Sequence, residues 1–259
     1  MALPDSGLPP LTVADFREHT YLNCTPDTPL RNKLDIFSQQ LPLTIRELRD
    51  LPTDSTLAMV AECFIKKGCF MPFYPNFDLS DMKHIRRVWP RLQRYSFGLV
   101  DSSGRLLGVA TNADAVDFQD VRSDAAESQK HPFIVQIQEY LGSLRQRVKD
   151  RLPDENKLER GVLLDMYMYG IPFNVLTPSE NLYVMYRLVE ETHRRAVEHG
   201  FQHCVSENSH PYTQILALFF GCDRLIMDHP HDFVNSKGEK SFDLVPEKIT
   251  VAVDLRTYF

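Results

Sequence analysis

The 259-residue sequence has no apolar run longer than residues 215–220, far short of the ~20 that cross a bilayer, and no basic-then-apolar leader at its start. The expectation is a soluble, cytoplasmic chain with no membrane partner. Positive charge is in deficit, 29 basic against 35 acidic residues for a formal net charge of -6. No overall positive field is therefore available to hold nucleic acid. Cysteine is sparse and scattered: Cys24, Cys63, Cys69, Cys204 and Cys222 form an odd set without a closely spaced pair of metal ligands. That pattern fits reduced thiols rather than a disulfide framework or a zinc site. Internal repeats and low-complexity tracts are also missing. What is present is ordinary globular composition, 43% hydrophobic and 25% charged, which excludes disorder throughout.

Pro4, Pro9, Pro10, Pro26, Pro29 and Pro42, with weak periodicity between them, predict an extended or loosely docked arm over residues 1–42 and a single domain over 43–259. Leu43, Ile45 and Leu48 predict a strand, and Leu57, Val60, Ala61 and Phe64 a helix over 57–67. A second amphipathic helix is expected over 78–94, bent or ended by Pro90. Residues 95–100 and 106–110 read as a hairpin around Asp101, Ser102, Ser103 and Gly104, the second strand running on through Thr111 and Asn112. Pro132 opens a helix in which Ile134, Ile137, Tyr140, Leu141, Leu144 and Val148 recur at helical spacing. The apolar run at 162–171 suits a central strand covered on both faces.

Thr177 and Glu180 have capping-box spacing, with Pro178 at the first helical position, so a long helix is expected from there to His199, stopped by Gly200. A strand over 201–205, a short helix over 211–220 and strands over 223–227 and 249–255 complete the reading. The pattern is α/β: a mixed parallel and antiparallel central sheet with helices on both faces.

Several clusters carry chemically capable residue types. Asp228, His229, His231 and Asp232 could ligate a metal, but a polar loop stiffened by Pro230 accounts for them, and no metal site is assigned. Tyr167 and Tyr169 fit either a pocket wall or a core. Glu207 and His210 could serve as the acid and base of an unrelated α/β enzyme.

The element order, together with PYTQILALFFGC at 211–222, resembles the GNAT acyltransferase superfamily, and more narrowly the insect-type arylalkylamine N-acetyltransferases. Those carry a Tyr-Ser pair, a leucine and a Leu-Gly-Phe end here; Tyr212 matches, Thr213 replaces the serine, and Leu216, Ala217 and Gly221 fit. GVATN at 108–112 and the tail from DHPHDF through KGEKSF to KITVAVDL extend the resemblance over 43–257. It implies the GNAT fold and transfer of an acetyl or other acyl group from acetyl-CoA to a small-molecule primary amine. Pantetheine lies between the fourth and fifth strands, and pyrophosphate meets the start of the long helix. On this resemblance Tyr212, Thr213 and Glu207 are the catalytic candidates, beside Ser206 and Asn208, with Tyr212 protonating the leaving thiolate. Gly170, Ile171, Ser179, Glu180, Asn181 and Tyr183 are the cofactor-binding candidates.

Two features depart from the family. No glycine lies between Gly170 and Gly200 and no lysine or arginine between Arg160 and Arg187, while Glu180 stands where an anion arrives. Weakened or altered CoA binding is the expectation. The family's Glu-Pro-Leu base is replaced by Lys67, Gly68, Cys69 and Phe70, leaving Glu62, Asp78, Glu207 or His210 to deprotonate the amine. The alternative is a GNAT-fold protein without catalysis that binds a protein or small-molecule partner.

Overall fold

The computed structural model describes residues 7–68, 70–74, 83–117, 132–154 and 157–258. Seven strands form one sheet. β1 (Thr44–Glu47), β2 (Phe97–Val100), β3 (Leu106–Asp114) and β4 (Leu163–Gly170) follow one another antiparallel. β4 meets β5 (His203–Asn208) in parallel, and β7 (Val251–Thr257) inserts antiparallel between β5 and β6 (Asp223–Asp228). The expected mixed sheet is present. That the last strand enters between two earlier ones follows from no local pattern.

Among the described residues the sheet is covered by the helices α1 (Val13–Arg17), α2 (Pro29–Gln40), α3 (Thr53–Lys67), α4 (Lys83–Leu92), α5 (Pro132–Arg147), α6 (Pro178–Glu198) and α7 (Pro211–Phe219). One core gathers Val60, Ile85, Leu92, Ile134 and Tyr140 over Val109, Val205 and Val253. A second gathers Phe16, Leu34, Phe37, Leu188 and Phe219 over Phe97 and Leu99. Burial of each such side chain stabilises by about 1.5–3 kcal/mol. α6 comes so close to β3 that a Cβ on Gly108 would stand 2.8 Å from Val184 Cγ1, which is why glycine occupies that point of GVATN.

The described part of the expected extended or loosely docked arm, residues 7–42, is helical and packed onto the domain instead. Phe16 and Phe37 are wholly buried, and Phe37 stacks on Tyr183 with ring centroids 5.1 Å apart. Proline misled because Pro29 sits in the first turn of α2, where a missing N–H costs nothing, and the Thr28 hydroxyl caps it by accepting from Arg31 N–H at 3.3 Å. The helix expected over 78–94 is described from Lys83, and Pro90 lies inside it; its earlier part is outside the described residues. Cys24, Cys63, Cys204 and Cys222 are free thiols. Among the described residues, no helix is long and apolar enough to cross a membrane.

Candidate active site

The parallel pairing of β4 with β5 runs only from Leu163↔His203 to Met166↔Ser206, and both strands continue past it. At the same point β4 bulges: Thr111 of β3 faces Met168 and Asn112 faces Met166, so Tyr167 is the extra residue. Strand separation and bulge together open a cavity of about 650 Å³. β4 and β5 line it with Met166, Tyr167, Met168, Tyr169, Ser206, Glu207 and Asn208. One wall is apolar, formed by Phe64, Phe70, Ile134, Ile137 and Leu141 of α3, its following loop and α5.

At the crotch of the separating strands lies Arg145 of α5, which is 6% exposed. Its guanidinium grips Asp165 of β4 at 2.7 and 3.0 Å and bonds Glu207 of β5. Burial alone would lower its pKa, yet the two carboxylates hold it well above the ordinary value. The arginine therefore stays charged and ties the two strands where their own ladder ends. Asp165 takes both oxygens to this contact, whereas the Glu207 bond runs through Oε1.

The start of α7 forms another wall. His210 Nδ1 accepts from Tyr212 N–H at 3.2 Å, capping the helix with an imidazole. The neutral ring then carries its proton on Nε2, which makes it a donor toward the cavity rather than a base. Burial, aided by Lys67, lowers the His210 pKa and keeps the ring neutral near pH 7. The Tyr212 ring packs edge-on against it at 4.8 Å, and burial raises the phenol pKa, so its hydroxyl remains a proton donor. Thr213 donates its hydroxyl to His210 C=O at 2.9 Å. Gln214 anchors the turn by donating to Asn208 C=O and Thr250 C=O at 3.0 and 2.8 Å.

The start of α6 is different. Thr177 and Glu180 close the expected capping box: the Glu180 carboxylate accepts from Thr177 N–H at 2.7 Å, and Thr177 Oγ1 accepts from Glu180 N–H at 3.3 Å. Ser179 Oγ accepts from Leu11 N–H at 3.0 Å and donates to Leu11 C=O at 3.3 Å, so the N-terminal segment lies against this turn. Lys67 of α3 crosses to the same region and donates to Asn181 Oδ1 at 3.2 Å and Pro172 C=O at 3.3 Å. Burial lowers its pKa.

Tyr212, Thr213, Glu207, Ile171 and Asn181 all line the cavity, as do Ser206 and Asn208. Ser179 and Glu180 are engaged in the contacts just described. Tyr183 is a correction: at 1% exposure it belongs to the core, because two residues, about 200° of helix, separate it from Asn181 and turn it away from the cavity onto Phe37. Gly170 serves packing, since a Cβ there would stand 2.9 Å from Val60 Cγ2. Among the candidate bases, Glu62 pairs with Lys66 at 2.9 Å on the surface, and Asp78 lies outside the described residues. Asp228, His229 and His231 are held in structural contacts, accepting from Tyr140 Oη and Arg147 or bonding the carbonyls of Glu247 and Val245. Sequence reasoning missed Arg145 and Lys67. A signal for Arg145 existed: it continues the buried stripe Ile134, Ile137, Leu141 at helical spacing, where an unpaired charge is not tolerated.

No protein-family model matches the chain. No curated protein matches it in sequence. Solved structures do match in shape. The C-terminal condensation domain of Ebony in complex with beta-alanyl-dopamine gives a TM-score of 0.70 at 21% identity, covering 84% of this chain and all 100% of that one. Mosquito arylalkylamine N-acetyltransferase like 5b gives 0.62 at 15% identity, covering 84% and 100%. The Drosophila melanogaster polyamine N-acetyltransferase, an enzyme that catalyses formation of N-acetylagmatine, gives 0.57 at 12% identity, covering 83% and 100%. The chain has the fold of these three structures, the GNAT fold of the two acetyltransferases among them.

Proposed function

We propose that the chain transfers an acyl group from a pantetheine thioester, such as acetyl-CoA, to a primary amine with an apolar or aromatic body. The observation that carries this reading is the parted β4–β5 gap with Tyr212 and Glu207 on its walls. The cavity, about 650 Å³, has room for a thioester arm. The apolar wall of Phe64, Phe70, Ile137 and Leu141 suits an aryl group, and Glu207 supplies negative charge for the amine. Beta-alanyl-dopamine, held by the Ebony domain, is itself an N-acylated arylalkylamine.

In the proposed reaction the amine nitrogen attacks the thioester carbonyl; a C–N bond forms and the C–S bond breaks. The amine must first lose a proton, and Glu207 is the carboxylate positioned to take it, its Oε1 bonded to Arg145. The leaving thiolate takes a proton from the Tyr212 hydroxyl, which burial keeps protonated, and the second proton that the attacking nitrogen releases as the amide forms restores the phenol. His210, fixed as an Nε2–H donor by its cap, is suited to polarise the carbonyl oxygen rather than to act as base.

The test is release of free thiol from acetyl-CoA and shorter acetyl thioesters with tyramine, tryptamine and agmatine, with and without Tyr212→Phe. Amine-dependent release that falls in the variant supports the reading. Absence of transfer from every thioester, together with no thermal shift by any of them, removes it and leaves the non-catalytic alternative.

A further inference from the structure

We infer that the thioester donor is recognised through its acyl and pantetheine portions, with its nucleotide contributing nothing to binding. This rests on the acyl-transfer reading above and concerns the same gap. A diphosphate binds a helix start when the first backbone N–H groups are free and no like charge stands among them. At α6 neither condition holds. Pro178 has no N–H, the Thr177 N–H goes to the Glu180 carboxylate at 2.7 Å and the Glu180 N–H to Thr177 Oγ1 at 3.3 Å, so the cap leaves only the Ser179 N–H of the four that a helix start offers, too few to cradle a diphosphate. The anion that neutralises the helix dipole is the chain's own Glu180 carboxylate, 2.7 Å from Thr177 N.

The surroundings reinforce the point. Ser179, which follows Pro178, has its hydroxyl bonded to both backbone groups of Leu11, and Leu11 is buried, so peptide backbone covers this side of the turn. No glycine loosens the segment between β4 and α6, and Gly170 at its start is used up by contact with Val60. The cavity meets α6 through the sides of Pro178, Asn181 and Met185 rather than along its axis. Lys67 is the cation at this end. Two of its three N–H groups point to Asn181 Oδ1 and Pro172 C=O, leaving one for a carbonyl of the arm. The pantetheine portion fits the gap; the diphosphate does not fit the helix start.

The experiment compares kcat/KM for acetyl-CoA, S-acetyl-pantetheine and S-acetyl-N-acetylcysteamine with one amine, and measures inhibition by 3′,5′-ADP. The expected result is kcat/KM for S-acetyl-pantetheine within about threefold of acetyl-CoA, with no inhibition by millimolar 3′,5′-ADP, since a nucleotide without attractive contacts adds no affinity. A preference of roughly tenfold or more for acetyl-CoA, with competitive inhibition by 3′,5′-ADP, overturns the inference while leaving acyl transfer intact. No transfer from any donor overturns both. Glu180→Gln, which keeps an acceptor for Thr177 N–H, is expected to raise the efficiency of acetyl-CoA roughly fivefold relative to S-acetyl-pantetheine by removing the opposing charge. An unchanged ratio shows that Glu180 is not what excludes the nucleotide and overturns that part of the argument.

Discussion

Two helices begin beside the same gap in the sheet and are capped by opposite means. α6 opens Thr177–Pro178–Ser179–Glu180 and closes its first turn with an anionic side chain. α7 opens His210–Pro211–Tyr212–Thr213 and is capped by a neutral imidazole, with phenol and hydroxyl presented at the cavity wall. Both have proline in the first turn, and both would pass as anion-binding starts on geometry alone. The difference teaches that a helix dipole is available to a ligand only where the chain has not already supplied the countercharge. At α6 it has; at α7 the partial positive charge still faces the place where a thiolate or oxyanion would form.

The strongest way to break the comparison is to remove the clamp beneath both starts. Arg145→Leu strands the buried Asp165 carboxylate and the partly buried Glu207, and a loss of about 3–5 kcal/mol is expected in denaturant unfolding, because uncompensated buried charge is costly. A loss below about 1 kcal/mol would mean that the separating strands do not depend on it. Next is the chemistry assigned to α7. Tyr212→Phe should lower kcat by about 100-fold or more with the fold intact, the usual worth of a positioned proton donor. Equal turnover would strip α7 of its catalytic role.

Smaller effects sharpen the contrast. Thr177→Ala removes the side-chain cap of α6 and should cost about 1 kcal/mol, read as a lower melting temperature. Acid should strike α7 instead. The folded-state pKa of His210 lies below its ordinary 6.5, so on acidification the unfolded chain takes up this proton first. The stability it contributes is complete above pH 6.5 and is lost as pH falls toward the lowered value, since a protonated Nδ1 cannot accept from Tyr212 N–H. His210→Asn keeps a capping acceptor without titrating and should flatten melting temperature against pH between 7 and 5; an unaltered slope would assign the acid sensitivity elsewhere.

Much of the fold was legible locally. The α6 capping box, its stop at Gly200 with φ of 75°, the proline-opened α5 and the hairpin all appear within a few residues of expectation. Their causes are short-range: side chains repeat with the period of the element, and caps act within one turn. The expectation of an arm fails over residues 7–42 because Pro29, by its position, starts a helix rather than breaking one. Tyr212 and Glu207 were recognisable as candidates, and the acidic start of α6 as the proposed obstacle to diphosphate. Lys67 was not, because it reaches Asn181 from α3, 114 residues earlier in the chain.

What the sequence by itself determined is therefore most of the elements from β1 onward and the capping box of α6, all governed by interactions between near neighbours. Only the tertiary structure decided that β7 enters between β5 and β6, that the β4–β5 ladder ends at Met166↔Ser206, and that Arg145 reaches Asp165 and Glu207 across that ending. It also decided that Tyr183 faces the core while Asn181 faces the cavity. The physical reason is that burial and charge compensation belong to surfaces assembled from distant segments, and a residue's role depends on which of those surfaces it meets.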